Sequence, residues 1–158
     1  RTLEGLSPDQ VLWRPDADGN SIGWLVWHLS RVQDDHLAGV AAAVGLGADL
    51  AEQVWTGHGW SSRFGLPYND REIGYGHSSD QVGAFSVGEV ELLVGYHADV
   101  HALTIGVLDG LTEGDLDRVV DERWDPPVTV AVRLVSVVND ITQHLGQVAY
   151  AAGMVSRR

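Results

Sequence analysis

Asp140 and His144 stand four residues apart in the stretch VTVAVRLVSVVNDITQHLGQVAYAAG. On a helix that spacing sets a carboxylate and an imidazole side by side. Two chemistries fit such a pair. One is a hydrogen bond on a helix surface. The other is two ligands of a metal site whose third ligand comes from another element. A second helix histidine, His28 in SIGWLVWHLSRVQDDHLAGVAAAV, lies at the edge of its own apolar arc, as His144 does. His36 falls nearer the middle of that arc, so periodicity alone does not choose between them. His97 and His101 form a rival pair one turn apart, since two imidazoles at this spacing are a recognised ligand arrangement. The rival reading of that pair places His101 in the core and His97 in loop or solvent contacts. His58 and His77 fall in a loop-rich stretch and read as surface histidines.

The chain contains no cysteine. That removes disulfides, thiolate ligands and a cysteine nucleophile, so a metal must be held by His, Asp or Glu, and any thiol must arrive with a substrate. The ten basic residues are all arginine, which excludes Schiff-base chemistry on a lysine. A net charge of −12 argues against nucleic acid and anionic membrane as partners. No signal peptide and no apolar run of membrane-spanning length are visible, and a cytoplasmic setting is the simplest expectation.

The elements that must position these residues are helices. The last runs from a Thr129 cap to about Gly153, with Val130, Leu134, Val137, Ile141, Leu145, Val148 and Ala152 as its apolar stripe. The second runs from about Ser21 to Val44, with Ile22, Leu25, Val26, Leu29, Val32, Leu37 and Val40 buried. A third opens at a capping box, Ser86 to Glu89, and reaches about Leu108, with Val90, Val94, His97, His101, Ile105 and Leu108 on one face. Residues 1–5 read as the tail of a truncated first helix, and Ser7-Pro8 as the start of a short helical turn. Residues 45–79, rich in Gly and aromatics, form a long crossover that packs and roofs a pocket. A short helix follows near Thr112–Leu116, and Asp125-Pro126-Pro127 stops helix before the last element. The sum is one all-α domain over residues 1–158, a four-helix bundle with a long crossover between the second and third helices.

WLVWHLSRVQDDH in the second helix and DITQHLGQVAYAAG in the last resemble the DinB-like superfamily of metal-binding bundles. With RVVDERWDPPVTVAVRLVSVVND between, the likeness covers nearly the whole chain. It points to the actinobacterial branch of mycothiol S-transferases and mycothiol-dependent maleylpyruvate isomerase. The resemblance implies a divalent metal, zinc first and nickel or iron next, on His28, Asp140 and His144. Many members use three histidines, and Asp140 matches the mixed version. It further implies a transferase or isomerase that activates a low-molecular-weight thiol for attack on a small electrophile, and a homodimer. The alternatives are a metal-dependent hydrolase working through bound water and a non-enzymatic binding or dimerisation module. Arg133, two turns before Asp140, is a candidate for a substrate carboxylate, against an ion pair with a surface acid. Trp24, one turn before His28, is a candidate pocket wall, against a core role.

Overall fold

The computed structural model describes residues 2–157. Residues 2–5 form a turn where a helix tail was expected, and Arg1 lies outside the described residues. Ser7 and Gln10 then make a reciprocal capping box that starts α1 (Pro8–Leu12).

α2 (Ile22–Val44) is the axis of the molecule. Ser21 Oγ accepts the Trp24 amide to start it, and Gly45, at φ +82°, ends it. Every residue from Ser21 to Asp34 is buried, so this stretch has no solvent face. The reason is its neighbours: α7 (Val90–Gly110) and α8 (Val130–Val155) both pack along it, and the crossover covers the rest.

The crossover holds four short helices, α3 (Ala48–Ala51), α4 (Val54–Gly57), α5 (Trp60–Phe64) and α6 (Ser79–Gly83). Its aromatics pack inward as expected: Trp55, Trp60 and Phe64 are buried and all three rings pack against Tyr96. Its anchor is polar. The buried Asp34 carboxylate accepts the Val54 and Trp55 amides at 3.0 and 2.9 Å, satisfying the first turn of α4. Arg31, fully buried, donates to Asp34, Gln53 and Tyr96 and to the carbonyls of Asp70 and Glu72.

α7 departs from the expected register. It starts at Val90 with no side-chain cap, and its buried face is Val90, Leu93, Tyr96, Val100, Leu103 and Val107. Val94, Ile105, Leu108 and His101 are exposed. This helix carries apolar residues on nearly every side, so periodicity does not select a face. The aromatic crossover clustered on Tyr96 does.

After a 3-10 turn at Glu113–Asp115, β1 (Val119–Asp121) pairs antiparallel with β2 (Val128–Thr129), the sole sheet among the described residues. The ribbon brings Asp121, Arg123 and Trp124 beside α2 and α8. α8 starts where expected, with Thr129 Oγ1 accepting the Val132 amide at 3.4 Å. It runs through Gly153 to Val155 because Val155 is buried against the core. Leu145 of the expected stripe is 49 % exposed. Among the described residues no helix is long and apolar enough to cross a membrane.

Candidate metal centre

His28, on the buried stretch of α2, meets Asp140 and His144 of α8, and one donor atom from each lies within 4.8 Å of the others. Among the described residues this is the one group of three or more His or carboxylate donors gathered this way. The two imidazoles meet edge to face, centroids 4.8 Å apart.

The hydrogen bonds fix the tautomers. A carbonyl only accepts, so His28 Nδ1–H donates to the Ile73 carbonyl. His144 Nδ1–H donates to Gln147 Oε1 at 3.0 Å. In a neutral ring with its proton on Nδ1, Nε2 carries the lone pair that a cation would take. Burial pushes the His28 imidazole below its ordinary 6.5, against the opposing effect of the Ile73 hydrogen bond, which keeps the ring in its neutral, ligating form. Asp140 Oδ1 lies 3.5 Å from His144 Nε2, while its Oδ2 is buried with no hydrogen-bond partner. An orphaned buried carboxylate oxygen beside two free imidazole nitrogens costs free energy unless something cationic satisfies it. The residues present therefore fit a divalent metal.

A second layer holds His28 in place. Trp24 is buried and stacks on it, centroids 4.8 Å apart and planes 16° apart, so this indole backs the imidazole and lines none of the open cavities described. Trp24 Nε1–H points to His77 Nδ1 at 3.4 Å, and His77 Nε2–H donates to Glu72 at 3.0 Å. His77 is thus not a surface histidine: its side chain is 3 % exposed, packed against Trp27 and Tyr68. His58 is a surface one, 59 % exposed beside Asp99.

Gly74 is the residue in this layer that sequence reasoning missed. Its φ is +90°, and a Cβ there would stand 2.7 Å from His28 Nδ1 and 3.0 Å from both Trp24 and Trp27. None of those rings has room to move. Gly74→Ala is therefore expected to displace the imidazole and to weaken any divalent-metal binding at this site by roughly 10–100-fold, the usual effect of disturbing an outer-shell partner. Competition against a chromogenic chelator measures this, and unchanged affinity would show that the loop does not position His28.

The rival pair dissolves, with the two expected roles reversed. His101 is exposed, whereas His97 is half-buried and hydrogen-bonds Ser30 Oγ at 3.1 Å. Neither joins a third donor among the described residues. His36 is also accounted for: its Nδ1–H donates to Asp35 at 3.2 Å, and its Nε2 accepts from Arg133 at 3.0 Å. Arg133 in addition binds Asp121 at 3.0 Å, the ion pair that was its alternative reading. Asp121 also takes three hydrogen bonds from Arg123, two from the guanidinium and one from the backbone amide, which hold its carboxyl far below the usual carboxylate range.

A family profile described as DinB superfamily matches residues 1–148. A crystal structure of a conserved protein from Enterococcus faecalis superposes with a TM-score of 0.85 at 30 % identity, covering 99 % of this chain and 88 % of that one. No curated protein matches the chain. The profile spans α2 and reaches past His144, so all three donors lie inside the match, and the chain belongs to the DinB superfamily.

Proposed function

We propose that this protein binds a divalent metal, zinc first, through His28, Asp140 and His144 and uses it in a thiol-dependent transferase or isomerase reaction on a small electrophile. The observation that carries the reading is the donor set: two imidazoles whose Nδ1 atoms are engaged elsewhere and a carboxylate with an unpartnered buried oxygen, with one ligand atom from each residue within 4.8 Å of the others. Three protein ligands leave room for an exogenous one. When bound, such an ion lowers the pKa of a thiol on it, as it does for water, and so supplies a thiolate at neutral pH. The thiol is external because the chain has no cysteine.

The chain's own residues do the positioning. Ile73 and Gln147 set the imidazole tautomers, and Trp24 fixes the plane of His28. The Asp140 carboxylate offsets cation charge where water is partly excluded. The proposed branch, with mycothiol as the thiol, rests on the resemblance of the two helix motifs and the segment between them.

The experiment is a conjugation assay with zinc-loaded protein, mycothiol or a cysteine-derived surrogate, and monochlorobimane. The expected result is a rate that requires both thiol and metal and is lost in His28→Ala. Metal-dependent ester cleavage with no thiol present would assign the site to hydrolysis instead. Protein that takes up no metal would overturn the reading.

A further inference from the structure

A cavity of about 500 Å³ is lined by three arginines, Arg71, Arg123 and Arg133, by the rings of Tyr75 and Trp124 and by the Asp121 carboxylate. That volume suits a small organic molecule. Ile73, whose carbonyl holds His28, also lines this cavity. Three of the chain's ten basic residues meet here, in a protein of net charge −12. The two acids among them are already engaged, Asp121 by Arg123 and Arg133, and Asp35 by His36 and Gln53.

The unused capacity is therefore donor capacity. Arg123 binds Asp121 through Nε and Nη2, which leaves Nη1 free of a partner among the described residues. The Arg71 guanidinium has no hydrogen bond or ion pair among the described residues; only its backbone amide is engaged, to Asn69. Arg133, held by His36 and Asp121, braces the wall and sets Asp121 in position to hold Arg123. Two large aromatics stand exposed on the same cavity, Trp124 at 62 % and Tyr75 at 88 %. Tyr75 sits between Gly74 and Gly76, both in the left-handed region at φ +90° and +75°. Exposed rings facing a charged floor suit a ligand with an apolar, planar part and an anionic end.

We infer that this cavity is the subsite for a carboxylate of the substrate, bound by Arg71 and Arg123, with Tyr75 and Trp124 covering the adjoining apolar part. The inference deepens the proposed function and rests on it for the reacting end. Arg133, in the cavity wall, precedes Asp140 by seven residues, roughly 10 Å along a helix, so cavity and metal centre lie within the reach of a small molecule. The substrate class is then an organic acid, or a thiol conjugate bearing one, of that reach.

The test uses benzoate as the probe and benzamide as its neutral analogue, titrated by calorimetry into wild type, an Arg71→Gln/Arg123→Gln double variant and His144→Ala. Both arginines are exposed, so the double variant folds, which thermal unfolding verifies. The expected result is millimolar or tighter benzoate binding, at least about tenfold weaker for benzamide and for the double variant. Benzoate affinity should be retained in His144→Ala, because the subsite does not use the metal. That arm separates the two readings: wild type that lacks metal yet binds benzoate sinks the metal assignment alone. Equal affinity for benzoate and benzamide, full binding by the double variant, or loss of binding in His144→Ala would overturn the subsite. So would inorganic phosphate that binds more tightly than benzoate.

Discussion

His144→Ala is expected to abolish stoichiometric divalent-metal binding while leaving the fold intact. The substitution removes one of three donors, and the two that remain sit on different helices. An outer-shell change alone costs roughly 10–100-fold in affinity, and loss of a direct ligand exceeds that. The side chain is 18 % exposed and its one hydrogen bond goes to Gln147 on its own helix, so little of the core depends on it. Elemental analysis of protein purified without a histidine tag, beside the variant, measures the effect. Circular dichroism establishes that the helices persist. Metal retained by the variant at wild-type occupancy would place the ion elsewhere and remove the assignment.

Arg31→Ala is expected to produce the largest loss of stability of any single change near the site. Arg31 and Asp34 are a fully buried pair, N to O 3.4 Å, with both side chains at 0 % exposure. Burial raises the Asp34 carboxyl above its ordinary value, partly offset by the hydrogen bonds it accepts from Trp55 and Tyr96. Without its guanidinium partner the carboxylate is left uncompensated, which costs about 3–5 kcal/mol. Asp34→Asn in the same background should recover part of the loss, because the buried charge is then gone. Urea unfolding of the metal-free protein reads both. The same variant is expected to weaken metal binding, because Arg31 also ties down the Glu72 and Asp70 carbonyls, in the segment that leads into Ile73 and Gly74. Equal unfolding midpoints for wild type and Arg31→Ala would remove the anchor from the account.

The three candidate ligands were legible through the likeness of two helix motifs to a known family, since periodicity alone does not choose His28 over His36. Caps at Ser21 and Thr129 set the starts, and the stripes set which edge His28, Asp140 and His144 occupy. Those are local signals, acting over one to a few turns, and one chain contains them. The same logic failed on α7, where apolar residues on most sides left the buried face undetermined and His101 was misplaced into the core. A burial direction there depends on what packs against the helix, and that is the aromatic crossover.

His144 is oriented from within its own helix, by Gln147, but what holds His28 comes from contacts distant in sequence. His28 takes its tautomer from a carbonyl 45 residues away, and Gly74 matters only because a Cβ would strike that ring. His77 reads as a loop residue until Trp27 and Tyr68 enclose it. Arg133 points at a substrate by its place on the helix, yet the fold supplies Asp121 and His36 to occupy it and leaves donors on Arg71 and Arg123 free. The sequence by itself determined the helices and the cysteine-free chemistry, since periodicity, capping and composition are properties of the chain alone, and the likeness of its two helix motifs to a known family pointed to the three donors. Only the tertiary structure decided that His28 turns Nδ1 to Ile73, that Gly74 makes room for that ring and that Arg71 and Arg123 keep donors to spare, because each of these depends on neighbours that the fold brings from elsewhere.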